Sequence, residues 1–392
     1  METLSPELRY ALVVVALFVV PRVLQRLRLP SAITCLALGA AATASVHWFH
    51  ADTTVPVLAT FGIVAMFLFA GLEVDFRELQ KGAGVLFQHV AVQLMMLSAG
   101  TVATGVAFGL EPRAALLYAL ALFTPSTGFI LDSLGGFGLT PEERFWVKSK
   151  AIASELVALG VLFFTVQSQD AGRLAVSAGV LFALVAVLPW VFKVFVKVIV
   201  PFAPNTEFSF LVIVALLAAF ITRELGVYYL VGAFVVGVTA VRLRRELPAL
   251  SSERLLGAVE LFASFFIPFY FFKAGLHVTA QFFSLEALGI GLVLLVVVLP
   301  ARVARVALHR KLALGESWRT GARIGTAVLP TLVFSIVIGE ILLEQFALEP
   351  RLFGALLVFT VVNTIVPGIV LRAPTPEFET PTLPTLAKSS SP

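Results

Sequence analysis

Charge is scarce in this chain. Only 13% of its 392 residues are Asp, Glu, Lys or Arg, against about 25% in soluble domains. A soluble fold of this length could not cover its core with so few polar side chains. The excess apolar surface must face something other than water, and lipid is the simplest answer. Cysteine is nearly absent: Cys35 stands alone, which excludes an intrachain disulfide. No concentrated basic stripe accompanies the net charge of +4, because the Lys and Arg residues are scattered between apolar runs, and nucleic acid is not expected as a partner. Nucleophile-elbow, phosphate-loop and zinc motifs are missing, so nothing points to an enzyme or a cofactor. The five histidines, His47, His50, His89, His277 and His309, show no metal-ligand spacing and read as interfacial or packing residues.

What the chain has is apolar length. Hydrophobic residues make up 59% of it. The runs are roughly 20 residues long, which suits membrane-crossing helices and not the roughly 10-residue alternating strands of a barrel. The pattern predicts about thirteen spans, at roughly 8–26, 30–49, 53–73, 83–109, 113–137, 145–167, 173–196, 206–222, 225–242, 256–277, 284–306, 321–345 and 350–371. The run Ala11 to Val20 has no basic segment before it and reads as a helix, not a cleaved signal. The stretch 373–392, rich in Pro, Thr and Ser, is expected to be disordered. With the N-terminus outside, basic residues divide 22 inside to 5 outside, with Lys273 within a span. That bias predicts a cytoplasmic C-terminus in an inner or plasma membrane.

An internal repeat is visible. Ala70-Gly71-Leu72 ends the third span and Ala274-Gly275-Leu276 ends the tenth, an offset of 204 residues; Pro125 and Pro330 sit midway in the fifth and twelfth spans, an offset of 205. A shift of seven spans is odd, so the copies face opposite ways, a plan common in secondary transporters. Proline removes a helical hydrogen bond and clashes with the preceding turn. Either proline alone reads as an ordinary kink. As a pair in matching halves, the interruptions Thr124-Pro125-Ser126-Thr127-Gly128 and Pro330-Thr331 point to a substrate site.

The sixth span carries the chemistry. Glu155 lies about ten residues inside it, roughly 15 Å deep in a roughly 30 Å core. A carboxylate at that depth is costly unless paired, hydrated or neutralised. A proton or a metal cation can neutralise it, and competition between the two would couple their fluxes. Ser154, Thr124, Ser126 and Thr127 offer further oxygen ligands for a hard cation. The alternative is a structural salt bridge from Glu155 to a basic group, with Lys273 and Arg302 as candidates. Glu73 is expected at the interface and Asp132 in the inner half of the fifth span.

These residues resemble the monovalent cation/proton antiporter superfamily, of the sodium/hydrogen exchanger type, and its bacterial second branch in particular. The similarity rests on Phe67-Leu68-Phe69-Ala70-Gly71-Leu72-Glu73-Val74-Asp75, on Thr124-Pro125-Ser126-Thr127, on the glycine-rich stretch Leu225 to Gly237, and on Phe265-Phe266-Ile267-Pro268 leading to Gly275-Leu276. The resemblance implies an all-α polytopic fold of thirteen helices with inverted repeats and two crossed, interrupted helices. It also implies a mobile core (about 83–167 and 284–371), a dimerisation scaffold (about 8–73 and 173–277), a homodimer and elevator-type transport. Ser154-Glu155 stands where the family carries its ion-binding dipeptide, with Ser replacing the usual Asn, Asp or Gln and Glu replacing the usual Asp. Arg302 falls near the place of a lysine found in electrogenic members. One core carboxylate with a neutral neighbour predicts electroneutral exchange of Na+ or K+ for H+. The competing readings are a cation-coupled symporter of a small organic anion, which needs a larger polar cavity, and a non-transporting sensor on the same fold.

Overall fold

The computed structural model describes residues 5–45, 49, 52–74, 79–80, 82–168, 170–226, 228–243 and 252–371, without the side chains of 6, 132, 228 and 253. The stretch 373–392, His47, His50 and Asp75 lie outside these residues. Every regular element described is helical. In chain order they are α1 (Pro6–Gln25), α2 (Ser31–Ser45), α3 (Thr54–Leu72), α4 (Ala83–Phe108), α5 (Pro112–Phe123), α6 (Thr127–Ser133), α7 (Pro141–Gln167), α8 (Ala171–Val194), α9 (Glu207–Glu224), α10 (Tyr228–Arg242), α11 (Glu253–Leu276), α12 (Leu285–Leu314), α13 (Trp318–Ala327), α14 (Leu332–Phe346) and α15 (Pro350–Val370).

Helix starts follow local chemistry. Ser5, Ser252, Ser284 and Ser317 each accept a backbone N–H at the N-cap. Thr140 and Glu143 form a reciprocal capping box at α7. Proline opens α5, α7 and α15, where its missing N–H has no partner to lose. Each expected span is met by a helix or a helix pair. By length and apolarity alone, eight membrane crossings qualify among the described residues, one of them running from α5 into α6, or nine with the bent pair α13–α14, against the thirteen expected. The shortfall includes α2 and α10, of 15 residues each, roughly 22 Å long and shorter than the apolar core they would cross. Large apolar side chains such as Phe87, Val106, Phe182 and Val296 point outward, the reverse of a water-soluble surface.

Two sets of helices pack closely. In one, α11 lies on α2 and α3, and α3 on α10, which in turn packs on α9; in the other, α12 lies on α13 and α15, α4 on α5, and α5 on α14. The first set closes through glycine. A Cβ on Gly71 of α3 would sit 2.4 Å from the Phe234 carbonyl of α10, and one on Gly237 would sit 2.4 Å from the Leu68 carbonyl. A Cβ on Gly275 of α11 would sit 2.1 Å from the Leu36 carbonyl of α2, and one on Gly39 2.1 Å from the Phe272 carbonyl. The contacts are counterparts: moving seven spans along the chain carries third-on-ninth into tenth-on-second. The repeated Ala-Gly-Leu motif therefore has a packing reason, since only a residue without a side chain lets these backbones touch.

Gly71→Ala and Gly275→Ala should each lower the thermal melting point of the detergent-purified protein, by a penalty of about 1–3 kcal/mol or more. Gly289→Ala, at an α12 position where an added Cβ meets nothing within 4 Å, should leave it unchanged or raised.

Candidate functional site

Both expected interruptions are present. The chain leaves α5 at Phe123, runs extended through Thr124 to Ser126, and re-enters helix at Thr127. Likewise α13 ends at Ala327 and α14 begins at Leu332, with a 51° bend between them. The two breaks meet. The Ser126 N–H donates to the Pro330 carbonyl at 2.8 Å, and the Ser126 hydroxyl accepts from the Val333 N–H at 2.9 Å. From α14, the Ser335 hydroxyl donates to the Ala121 carbonyl of α5 at 2.9 Å. Asn363 of α15 donates its amide to the Thr331 hydroxyl, also at 2.9 Å.

Breaking two helices frees carbonyls at the ends of α5 and α13, where the negative poles of the helix dipoles fall. Arg302 of α12 serves both. One guanidinium nitrogen donates to the Leu122 carbonyl at 3.1 Å and the other to the Val328 carbonyl at 3.0 Å. Gln93 of α4 donates to the Phe123 carbonyl at 3.1 Å, and its own oxygen accepts from Arg305. The planar fork of arginine spans two acceptors, as a lysine ammonium on one stem cannot do with the same geometry.

Glu155 sits on α7, only 2% exposed. Its carboxylate accepts the backbone N–H of Thr127, the first residue of α6, at 3.2 Å. It lines a crevice with Ser126, Thr127, Gly128 and Val333 from the broken helices and Met66, Phe67 and Ala70 from α3; the crevice leaves no space for a free water molecule. The hydroxyls of Thr124 and Thr127 are buried without a hydrogen-bond partner. Of these two oxygens, that of Thr127 belongs to a residue lining the Glu155 crevice.

Basic groups that could have neutralised Glu155 are engaged elsewhere. Lys273 pairs with Glu340 at 3.5 Å, joining α11 to α14. Glu73, just past the end of α3, pairs with Lys148 of α7 at 2.6 Å. Arg302 is held on the two carbonyls. Among the described residues no cation pairs with Glu155, and no group of three or more His, Cys, Asp or Glu side chains could hold a metal ion. Asp132 lies on α6, and its side chain is outside the described residues. Ser154, expected beside Glu155 as a ligand, is instead turned towards α4, where its hydroxyl lies 3.1 Å from Nε2 of His89. Consecutive residues on a helix point about 100° apart, so adjacency in sequence did not place both in one crevice. Gln93, Asn363 and His89 were not singled out in the sequence as site residues. A signal was available for the first two: Asn363 is a lone amide within an apolar run, and Gln93 is one of two, with Gln88, in the fourth span.

Two cavities lie between α11 and the broken helices. One, of about 340 Å³, is lined by Arg22, Gln25, Pro268 and Phe271 and ends against Met66 and Gly128. Another, of about 230 Å³, lies by Lys273, His277, Glu340 and Glu344. Met66 separates the first from Glu155, and a Cβ on Gly128 would meet it at 2.8 Å.

Known proteins share this fold. The chain is similar to two solved structures of the sodium proton antiporter MjNhaP1 from Methanocaldococcus jannaschii. One, at pH 8, has 13% identity and a TM-score of 0.67, covering 92% of this chain and 94% of that one. The other, an electron-microscopy structure, has 13% identity and a TM-score of 0.69, covering 94% and 96%. At that identity the likeness concerns the fold. A search of curated proteins finds no match. Residues 13–375 match the family described as sodium/hydrogen exchanger, transmembrane. With that match running over nearly its whole length, this chain of apolar helices, built around two crossed and broken spans, belongs to the sodium/hydrogen exchanger family.

Proposed function

We propose that this protein exchanges a monovalent cation, Na+ or K+, for protons across the membrane, with Glu155 as the site both ions share. The observation that carries this reading is a buried carboxylate with no cationic partner among the described residues, set where two broken helices meet. A lone carboxylate in an apolar setting is stable only when neutralised. A proton does this by bonding to it. A small cation does it with the Thr127 hydroxyl, and opened backbone near Thr124, as further oxygen ligands. One site cannot hold both, so each release is coupled to the other's capture. A single carboxylate supports one-for-one electroneutral exchange. The family match and the MjNhaP1-like fold support the same chemistry. The tight crevice argues against a small organic anion as cargo, which would need a cavity of about 300 Å³ or more.

The two packed sets of helices support a division into scaffold (α1–α3 and α8–α11) and core (α4–α7 and α12–α15), with the core sliding as an elevator and the Lys/Arg bias setting an outside N-terminus. On this reading, α3 is the scaffold wall that closes over Glu155. The Glu73–Lys148 and Lys273–Glu340 pairs then join scaffold to core on either side of the site. A homodimer through the scaffold is the accompanying proposal.

In proteoliposomes loaded with a pH-sensitive dye, Na+ or K+ addition should collapse a preset pH gradient, and Glu155→Gln should abolish that response. Activity surviving in Glu155→Gln removes this residue from the mechanism. Proton competition sets the sign of the pH dependence: below the range where Glu155 titrates, the cation concentration for half-maximal rate should rise by about tenfold per pH unit of acidification. A flat profile sinks the shared-site reading.

Arg302→Met leaves two buried carbonyls unpaired, at about 1–3 kcal/mol each. Its melting point should fall well below that of wild type, with Arg302→Lys between the two. Equal melting points for all three would show that the breaks do not depend on this fork.

A further inference from the structure

Sharing no lining residue with the Glu155 crevice, α4 and α12 enclose a groove of about 630 Å³, lined by Gln88, Ala91, Val92, Arg305, Leu308 and His309 among others. Nothing proposed above uses it. Its inner wall is basic. Lys150 of α7 places its ammonium 3.3 Å from Nδ1 of His309. Arg310 is buried over the Trp146 ring, 4.8 Å from its centroid, and bonds through Nε to Glu316 at 2.7 Å. A lysine ammonium only donates, so Nδ1 of His309 is the acceptor and Nε2 carries the ring proton. That Nε2, Nε of Arg305 and Nη1 of Arg310 are all buried without an acceptor. Three cationic side chains, Lys150, Arg305 and Arg310, thus share one paired carboxylate, Glu316, among the described residues.

Buried donors without acceptors are costly, and an uncompensated buried charge more so. What would complete the cluster is an anion with several acceptor oxygens. The rim says where it comes from. Leu312 is 77% exposed and Leu308 47%, and both line the groove. These outward apolar side chains give a soluble anion no added contact, but an acyl chain could lie along them. The groove also lies in the C-terminal half of α12, which the Lys/Arg bias assigns to the cytoplasmic leaflet. Basic pockets between helices on that side suit lipid headgroups. We propose that the α4–α12 groove binds the headgroup phosphate of an anionic membrane phospholipid, with Arg305 and His309 as its donors.

The test is lipid-dependent thermal unfolding of the full chain in mild detergent. Phosphatidylglycerol should raise the melting point. Phosphatidylcholine and inorganic phosphate at the same concentration should not. Ala91→Trp fills the groove without removing a basic side chain, and His309→Ala removes one donor; each should reduce the phosphatidylglycerol-specific shift by at least half. Equal shifts with the anionic and the zwitterionic lipid overturn the proposal, as does a full shift retained in both variants. A shift of the same size with inorganic phosphate assigns the groove to a soluble anion and overturns the lipid. The wild-type comparison stands even if a variant fails to fold. No antiport is measured, so this proposal and the ion-exchange reading fail separately.

Discussion

Backbone groups that lose their helical partners inside a membrane must find others, and the centre of this protein is organised by that requirement. Pro125 and Pro330 each open a helix in the middle of an apolar span. Several of the resulting orphans find partners within the protein. Ser126 bonds to the opposite break in both directions, with its N–H donating to Pro330 and its hydroxyl accepting from Val333. Arg302 collects one carbonyl from each side. The crossing is therefore one hydrogen-bonded object and not two kinked helices lying near each other.

The position of Glu155 follows from this. The start of α6 is turned towards α7 only because the chain is redirected at Thr124 to Ser126, and Glu155 meets the Thr127 N–H there. With Arg302 held by carbonyls, and with Lys273 and Lys148 held by Glu340 and Glu73, the carboxylate has no cationic partner among the described residues. Ion pairs elsewhere in the molecule thus decide which charges Glu155 meets.

Close backbone contact does the complementary work on the other side. Gly71 against Gly237, and Gly275 against Gly39, bring α3 and α11 within touching distance of α10 and α2. This makes α3 a firm wall, and Met66, Phe67 and Ala70 on it cover the crevice. Side chains at those glycines would push the wall away from its neighbours. The same motif that marks the internal repeat in the sequence is thus the contact that stiffens the surface facing the carboxylate.

Much of this was legible in the chain. Apolar runs about 20 residues long dictated helices, because a spanning backbone has almost no other way to pair itself. The two prolines, seven spans apart, located the breaks, since proline's missing donor acts wherever the fold puts it. Glu155 stood out because a carboxylate at that depth needs a reason. The tertiary structure decided the rest. That Ser154 turns to His89, that Arg302 spans two carbonyls instead of pairing with an acid, and that Lys273 finds Glu340 all depend on which helix lies against which. A sequence states the order of residues along one axis; side-chain partners are chosen across the bundle, by distances of a few ångströms that only the packing sets.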